Sequence, residues 1–301
     1  MNVSIIYVNY KTGQLIANSI DTVIQKTEGV IYEIIVVDNA SFDGSVEFLK
    51  ERHKNVIFVE SPENLGFGRA NNLGIDIAKG EFVFFLNPDT LLINNAIKIL
   101  SDFLKTHDCV GACGGNLYDE NMNPGNSFTR RLSSATKELL SVFYISIPNF
   151  SHPRSSYFNF TGKPLKVASI LGADLMIKKS VIEQVGGFDS DFFMYGEESE
   201  LCNRISKKGY QIISVPTAEI IHLEGRAFEV SKFRSQLIIE SQFITYKKKY
   251  GKNGDRLLYR ILLFKYFLRI YLFSILYNKK KIKYWKEKRN CLGAVWQKFK
   301  E

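Results

Sequence analysis

The sequence contains few cysteines, and they are not arranged as a zinc site. Of its 4 cysteines only Cys109 and Cys113 lie close together, without a second pair of ligand residues nearby. We therefore expect buried free thiols in a reducing compartment rather than a zinc site or a disulfide framework. The sequence also does not open with the charged and apolar segments of a secretory signal, so export by that route is not expected.

Acidic residues are scarce only in the C-terminal part. Residues 247–301 hold 17 Lys or Arg and 3 Asp or Glu, whereas residues 1–246 hold 23 Lys or Arg and 28 Asp or Glu. The net charge of +9 therefore combines +14 in the tail with −5 in the rest. This change of composition predicts one domain over residues 1–235 and a basic, aromatic-rich helical tail over residues 236–301.

Strand and helix patterns alternate over the first 115 residues. The apolar runs "VSIIYV", "EIIVVD", "VIFVE" and "FVFFL" are typical of buried strands, and segments with helical apolar spacing separate them. Because the runs are continuous, they predict an α/β fold with a mostly parallel central sheet flanked by helices. Ligands bind such sheets at the carboxyl ends of the strands. The polar clusters "VNY", "DNASFDGS" and "NPDT" follow three of these runs.

The second half of the chain is irregular at first and then regular again. Residues 122–166 show no clear periodicity and contain most of the prolines. We expect them to form an excursion over the site, because long irregular segments in compact domains are often functional. Helices are then expected at "KSVIEQV" and "EESELCNRISKKG", and a strand at "YQIISV".

Five motifs lie in this order along the first 230 residues: "VDNASFDGS", "NLGFGRANNLG", "NPDT", "LGADLMIKKSVIEQVGGFDSDFFMYGEESELCNRISKKGY" and "IIHLEG". In this order they resemble the family 2 glycosyltransferases, in particular the rhamnosyltransferase-like branch of bacterial surface-polysaccharide biosynthesis. The resemblance implies a GT-A (Rossmann-like) catalytic domain, a nucleotide-diphosphate-sugar donor, a divalent metal ion and inversion at the anomeric carbon.

The resemblance implies that Asp89 and His222 hold the metal ion. Family enzymes carry an Asp-X-Asp triplet here, and Asn87-Pro88-Asp89 retains only the second carboxylate, with Asn87 expected to contact the donor. One carboxylate can suffice, because Mn2+ or Mg2+ takes most of its ligands from phosphate oxygens and water. Imidazole suits Mn2+ better, and both metals remain open. Without the motif, a lone histidine at a strand end would be interpreted as structural.

Carboxylates in "YGEESE" are candidates for the general base that removes the acceptor proton. By its match to the family's Glu-Asp pair, Glu198 is the first candidate and Glu197 the second, whereas Glu200 is expected to hold local structure. The structural alternative for at least one of them is an acidic first turn that complements the helix dipole.

Donor recognition is expected from residues that follow the strands. Asp38 can accept a hydrogen bond from a pyrimidine N3-H, and Arg69 can approach the diphosphate. The glycines of "GFG" before Arg69 permit close backbone approach at a helix start. Two further pairs are expected to meet the nucleotide base and the donor sugar, respectively: Asn9 with Tyr10, and Gly172 with Ala173.

The residues and the resemblance together predict transfer of one sugar from dTDP-rhamnose or a UDP-hexose to a hydroxyl of a surface-polysaccharide or lipid-linked glycan. A processive polysaccharide synthase is not expected, because the QxxRW motif and several membrane spans are lacking. A sugar nucleotidyltransferase is not expected either, because "VNYKTG" lacks its triphosphate-loop pattern. The alternative is a GT-A protein that binds nucleotide or glycan without catalysis, or a basic membrane scaffold.

Residues 257–289 are rich in aromatic and aliphatic side chains, but Arg260, Lys265 and Arg269 interrupt them. A spanning helix needs about 20 consecutive apolar residues, so we expect an interfacial helix on anionic lipid, with Trp285 near the headgroups. We therefore expect the protein in the cytoplasm, at the inner face of the cell membrane. The alternative is a helix packed on the catalytic domain. Nucleic acid is not expected as a partner, because no recognised module accompanies the charge.

Overall fold

A computed structural model describes residues 1–143, 157–223 and 231–300, which form two compact units. The first unit comprises the described residues within 1–132, 151–193 and 197–229, and the second those within 133–150, 194–196 and 230–301. The boundary predicted between residues 235 and 236 falls inside a helix, Ser231–Tyr250, and stays a prediction.

The strands found among the described residues all belong to the first unit. They are β1 (Val3–Asn9), β2 (Tyr32–Asn39), β3 (Ile57–Ser61), β4 (Phe82–Leu86), β5 (Thr90–Leu92), β6 (Val110–Tyr118), β7 (Phe128–Thr129), β8 (Leu165–Lys166), β9 (Ser169–Ile170), β10 (Asp174–Lys178) and β11 (Gln211–His222).

The helices are divided between the units. Those of the first unit are α1 (Gly13–Lys26), α2 (Ser45–Arg52), α3 (Phe67–Ile77), α4 (Ala96–Thr106), α6 (Lys179–Val185) and α7 (Glu197–Lys207). Those of the second unit are α5 (Ala135–Val142), α8 (Ser231–Tyr250), α9 (Gly254–Ile275) and α10 (Lys279–Lys300).

The central sheet is mostly parallel, as the sequence predicts. Its order within the described residues is β3-β2-β1-β4-β10-β6-β11-β5, with β8 paired to β11. Strands β1 to β4, β6 and β11 share one direction, whereas β5, β8 and β10 run against it. The strands β5 and β10 were not expected from the sequence.

Helices cover both faces of this sheet. In β1, which is buried throughout, Ile5 and Tyr7 belong to one core cluster, together with residues of α1 and α4. Ile6 and Val8 belong to a second cluster, which includes residues of α3, α6 and α7. Burial on both faces explains why the strands read as continuous apolar runs rather than as alternating ones.

Two expectations for the second half are corrected. Within the segment 122–166, residues Ala135–Val142 form α5 rather than irregular chain, and residues 144–156 lie outside the described part. The strand expected to end at Val215 continues through Pro216 to His222. A shift in the pairing of β11 with β6 between Ser214 and Glu219 accommodates the proline.

The second unit is a helical bundle with its own core. Phe243 and Tyr246 of α8 pack with Leu258 and Leu262 of α9 and with Leu292 of α10. Because this core consists of side chains from three helices, each helix needs only one apolar face to complete it.

Charged residues inside the tail sequence have partners within this bundle. Lys265 Nζ donates to Ser141 Oγ of α5 at 2.8 Å, and Arg269, only 2% exposed, donates from Nη2 to the Ser141 carbonyl at 2.7 Å. Trp285 also packs partly buried against this core, and its expected position near headgroups stays a prediction. No helix of the described residues is long and apolar enough to cross a membrane.

Candidate active site

The candidate site lies at one edge of the sheet in the first unit. Strands β1, β2, β4, β6 and β11 end at this edge, and the antiparallel strand β10 begins there. Side chains from distant parts of the sequence therefore meet, as the motifs predict. The predicted residues at this edge are Asn9, Asp38, Asn87, Asp89, Gly172, Ala173 and His222.

A tight turn after β4 holds Asp89, whose side chain is only 4% exposed. The N–H and hydroxyl of Thr90 both donate to the Asn87 carbonyl, at 3.2 and 2.7 Å. The Asn87 N–H donates to the Ala173 carbonyl at 3.0 Å, and the Leu223 N–H donates to the Asp89 carbonyl at 2.9 Å. The turn is thereby attached to both β10 and the end of β11, which fixes the direction of the carboxylate.

His222 faces Asp89 across the paired strands β5 and β11. The pairing sets His222 opposite Thr90. Its Nε2 atom lies 3.3 Å from Asp89 Oδ1 and 3.5 Å from Asn87 Nδ2. Its Nδ1 atom is buried without a hydrogen-bond partner in the described part of the chain. The three residues that the motifs assign to metal and donor binding are therefore brought together.

The donor atoms of Asp89 and His222 fit two adjacent positions around a divalent ion. Adjacent ligand atoms of a six-coordinate ion of this size lie about 3 Å apart, close to the 3.3 Å between these two atoms. No group of three or more His, Cys, Asp or Glu among the described residues could hold a metal ion. The remaining ligands would have to come from the substrate and water, and a carboxylate with an imidazole suits Mn2+.

The side chain of Asn9 is fully buried and organises the loop beside Asp38. Its Nδ2 donates to Asp38 Oδ1 at 2.7 Å and to the hydroxyls of Ser41 and Ser45 at 3.1 and 2.7 Å. This network orients the Asp38 carboxylate, whereas contact of Asn9 with a nucleotide base stays a prediction. Tyr10, the next residue, is exposed and accessible to a ligand.

The loops after β1 and β2 contain left-handed backbone at residues other than glycine. Lys11, Ala40 and Phe42 have φ angles of 60°, 61° and 48°, a region that costs about 1–2 kcal/mol for a residue with a side chain. Hydrogen bonds hold this conformation: the Lys11 N–H donates to Ser41 Oγ at 3.0 Å, and the Ser41 N–H donates to Asp38 Oδ2 at 3.1 Å. Residues with left-handed backbone are often found together at ligand sites. The sequence alone did not predict this conformation.

Gly66 and Arg69 lie at the start of α3. Gly66 has φ 79°, and a Cβ there would lie 2.1 Å from the Phe193 carbonyl oxygen, so only glycine fits. Arg69 is partly exposed and donates from Nε to the Leu65 carbonyl at 2.8 Å. Its contact with a diphosphate stays a prediction. Sequence reasoning missed Asn39, which accepts from the Leu65 N–H and donates to the Gly66 carbonyl, although its place at a strand end could have signalled it.

The two candidate bases at the start of α7 have different surroundings. Glu197 is 3% exposed, and burial followed by the charge of Glu198 raises its pKa well above the usual value. Its Cβ lies 3.7 Å from where a Cβ on Gly68 would be, so it faces α3. Glu198 is only partly buried, and its Cβ lies 3.8 Å from where a Cβ on Gly172 would be. Glu198 therefore lies beside the predicted sugar-binding segment.

Glu200 has the structural role that the sequence suggests. Both of its carboxylate oxygens accept from Arg204 Nε, at 3.0 and 2.8 Å. Arg204 also donates from Nη1 and Nη2 to the carbonyls of residues 185–187, at the C-terminal end of α6. These bonds fix α7 against the turn after α6.

A cleft of about 560 Å³ adjoins His222. Asn126, in its wall, is followed by Ser127, whose carbonyl accepts from the Leu171 N–H at 3.0 Å. Leu171 precedes Gly172, so the cleft wall is connected to the segment beside Glu198. Sequence reasoning missed this cleft, because it is assembled from separate loops. Its lining includes Tyr118, Glu120, Asn121, Gly125, Asn126, Tyr157 and His222.

Most of the chain matches two models of known protein families. Residues 4–186 match the model of glycosyl transferase family 2. Residues 152–226 match the model described as the N-terminal domain of galactosyltransferase. The first match covers more than half of the chain and includes the Asp38, Asp89 and Gly172 segments.

Two curated relatives are each 27% identical to this chain. One is an N-acetylglucosaminyl-diphospho-decaprenol L-rhamnosyltransferase of Mycobacterium tuberculosis, aligned over 72% of this chain and 75% of the relative. The other is a low-salt glycan biosynthesis hexosyltransferase of Haloferax volcanii, aligned over 87% of this chain and 80% of the relative. Both relatives are named as glycosyltransferases.

A solved structure supports the fold. A mannosyltransferase from Pyrobaculum calidifontis, in complex with GDP-Man and Mn2+, superposes with a TM-score of 0.58 and 18% identity, over 99% of this chain and 86% of that chain. The likeness confirms the predicted GT-A fold.

Proposed function

Because the chain belongs to glycosyl transferase family 2 and is a glycosyltransferase with a nucleotide-sugar donor, we propose that it is an inverting, metal-dependent enzyme that adds one sugar to a glycan. The observation that carries this proposal is the Asp89–His222 pair, 3.3 Å apart at the ligand edge of the sheet. The nucleotide would lie along the ends of β1 and β2, where Asp38 is held ready to accept a hydrogen bond from a pyrimidine N3-H.

Asp89 and His222 would hold Mn2+ or Mg2+ against the donor diphosphate. When bound, the ion supplies positive charge where the leaving diphosphate becomes more negative. Asn87 and Ala173 keep the Asp89 turn beside the sugar-binding segment through their backbone hydrogen bond of 3.0 Å. The donor sugar would then lie between this turn and Gly172.

Glu198 would act as the general base. It accepts the proton of the acceptor hydroxyl while that oxygen forms a bond to the anomeric carbon, and the bond to the diphosphate breaks on the opposite face. This displacement inverts the configuration at the anomeric carbon. Glu197 fits this role less well, because its raised pKa keeps it protonated to higher pH.

The acceptor would occupy the cleft beside His222. Tyr118 and Tyr157 offer aromatic surface, and Asn121 and Asn126 offer amides, which suits a sugar with its alternating apolar and hydroxyl faces. The M. tuberculosis relative carries a lipid-linked acceptor in its name. For this chain we propose dTDP-rhamnose or a UDP-hexose as donor and a lipid-linked or surface-polysaccharide glycan as acceptor, at the cytoplasmic face of a membrane.

The test is calorimetric titration of dTDP and UDP, with and without MnCl2. For the unmodified protein, we expect Mn2+ to tighten binding of one nucleotide about tenfold or more, because the ion links Asp89 to the diphosphate. Asp89→Ala should remove this gain, whereas Asp102→Ala, which removes an exposed carboxylate on α4, should retain it. Affinity of Asp89→Ala that still rises with Mn2+ would refute the proposed metal site.

A further inference from the structure

Helix α9 has two apolar faces, and the bundle uses one of them. Leu258, Leu262 and Tyr266 point into the core of the second unit, and Phe273 is also buried. On the other face, an apolar row remains 51–64% exposed. Its spacing of three or four residues keeps the row on one side of the helix. We name this row the α9 stripe; it consists of Phe264, Phe267, Tyr271 and Ile275.

The stripe continues into the turn that joins α9 to α10. Leu276 and Tyr277 are 68% and 90% exposed. Their N–H groups donate to the carbonyls of Leu272 and Ser274, at 3.1 and 3.2 Å. The turn is therefore held by backbone hydrogen bonds, and it presents two large apolar side chains to solvent as an ordered tip.

Lysines follow this tip directly, at the start of α10. Lys279, Lys280 and Lys281 are exposed, and the first turn of α10 contains no acidic residue. Asn278 caps the helix by accepting from the Lys281 N–H at 3.0 Å. Positive charges at a helix N-terminus are repelled by the positive end of the helix macrodipole, so the interaction of these lysines with α10 is electrostatically unfavourable in water alone. An anionic phosphate would stabilise both the lysines and the N-terminal N–H groups.

Basic side chains also lie beside the aromatic rings. The guanidinium of Arg289 lies 5.3 Å from the ring centre of Phe267, and Lys281 Nζ lies 4.6 Å from the ring centre of Phe273. Cation and apolar surface are therefore mixed over the same few residues. This arrangement matches the region of a bilayer where phosphate headgroups meet acyl chains.

We propose that the α9 stripe, the tip at residues 276–277 and the lysines at 279–281 form a docking surface for an anionic lipid bilayer. Helix α9 would lie in the plane of the headgroups, with the stripe covering about 17 Å of its length. A second copy of this chain is a poorer partner, because like-charged lysines of symmetric copies would repel each other. The proposal goes beyond the glycosyltransferase function and does not depend on it.

The test uses flotation of the full chain with phosphatidylcholine vesicles, with and without phosphatidylglycerol. The unmodified protein should float only with the anionic vesicles, and less in high salt because ions screen the lysines. Tyr271→Ser with Ile275→Ser should lower the bound-to-free ratio about tenfold or more, because two side chains lose their burial in lipid. A matched pair of exposed isoleucines in the first unit, Ile24→Ser with Ile31→Ser, should leave the ratio unchanged.

The charge component is tested in the same assay. Lys280→Glu with Lys281→Glu should abolish flotation, whereas the same exchange at Lys207, the last residue of α7, and at Lys208, which follows it, should reduce flotation much less. Circular dichroism and light scattering check that every variant is folded and monomeric. Recovery of the unmodified protein in the soluble fraction would overturn the proposal, as would equal flotation of the stripe variant. Loss of a dimer in the stripe variant, without lipid binding, would assign the surface to self-association instead.

Discussion

At the scale of single residues, the adjacent carboxylates Glu197 and Glu198 on α7 differ in their exposure to solvent. Glu197 is buried with a raised pKa, whereas Glu198 is partly exposed beside Gly172. Neighbouring positions on one helix point in directions about 100° apart, which explains how one side chain faces α3 and the other the ligand edge.

The two roles can be separated by amide substitutions. We expect Glu198→Gln to lower kcat by about 10²–10⁴-fold while the Kd of the donor changes little, because an amide cannot accept the proton. Glu197→Gln replaces a buried acid, whose raised pKa favours the neutral form, by a neutral group of the same shape and should lower kcat far less. Steady-state kinetics and donor titration measure both quantities. An equal or larger loss in Glu197→Gln would transfer the role of base to Glu197.

Asp174, at the start of β10, is a second buried acid. It is inaccessible to solvent, and burial raises its pKa well above the usual value, although the Gly115 N–H donates to its Oδ2 and lowers it somewhat. Its Oδ1 has no hydrogen-bond partner among the described residues. Because the pKa is higher in the folded state, the contribution of Asp174 to stability is complete below the unfolded pKa of about 4 and is lost as the pH rises.

Asp174→Asn should therefore change the dependence of stability on pH. The amide keeps the acceptor for Gly115 but needs no proton, so we expect the variant to gain stability relative to the unmodified protein as the pH rises from 4 to 8. A difference of one unit between the folded-state and unfolded-state pKa corresponds to about 1.4 kcal/mol in the free energy of unfolding. Thermal unfolding at both pH values measures the effect. If the Tm of Asp174→Asn differed from that of the unmodified protein by the same amount at pH 4 and at pH 8, the expected pH dependence would be contradicted.

At the scale of elements, the turn after α6 connects α3, α6 and α7. Gly186 has φ 82°, and a Cβ on Gly187 would lie 2.4 Å from Asn72 Oδ1, so both positions require glycine. Asn72 of α3 bonds the Phe188 backbone in both directions, accepting from its N–H and donating to its carbonyl at 2.8 Å each. The turn thereby sets the position of α7 and of the carboxylates at its start.

Arg204 completes this connection, and its removal should loosen it. Arg204→Met keeps the apolar stem but loses the charge-assisted bonds to the carbonyls of residues 185–187, so we expect a loss of about 2–3 kcal/mol in the free energy of unfolding. Denaturant titration measures this loss. The control is Lys207→Met on the exposed part of the same helix, which should change stability by less than about 0.5 kcal/mol. A similar effect of both substitutions would show that the carbonyl bonds are not stabilising.

The sequence predicts these elements unevenly, for physical reasons. Strands β1, β2 and β4 were predicted because they are buried on both faces and read as unbroken apolar runs. Strand β5 has only three residues and follows a turn motif, which is too short for periodicity. The sequence predicts a strand that ends at Val215, before Pro216, because proline is rare within a central strand. Strand β11 in fact continues through this proline.

Within the site, the motifs predicted Asp89 with His222, but not the cleft or the left-handed loops. The cleft depends on contacts between loops that lie far apart in the sequence. The left-handed residues Lys11, Ala40 and Phe42 carry ordinary side chains, so no local pattern indicates their backbone conformation. The sequence therefore predicts the chemical groups of the site better than the surfaces around them.

At the scale of the whole molecule, the two units carry separate proposed binding surfaces. The first contains the donor edge with Asp38 and Asp89, and the second contains the α9 stripe. The segments differ in net charge, −5 for residues 1–246 and +14 for residues 247–301. Truncation at residue 246 would cut helix α8, which ends at Tyr250, so point variants test the tail better than deletion does.

Hydrogen exchange should reveal this separation. We expect the matching nucleotide with Mn2+ to slow amide exchange at residues 38–45 and 87–92, because those loops would contact the donor. Anionic vesicles should slow exchange at residues 264–281. Mass spectrometry with each ligand alone measures both patterns. Equal protection of residues 264–281 by the nucleotide would contradict separate sites.

The reversed direction of β10 has a mechanical consequence. Strands β4 and β10 pair over five residues from Leu86 with Asp174 to Phe82 with Lys178, so the turn that holds Asp89 and the segment that contains Gly172 adjoin the same end of one stiff pair of strands. Their spacing is then set by core residues well away from any ligand, among them the paired Phe84 and Met176. If the proposed site is right, repacking that pair would alter the alignment of leaving group and sugar while leaving every proposed substrate-binding group chemically intact.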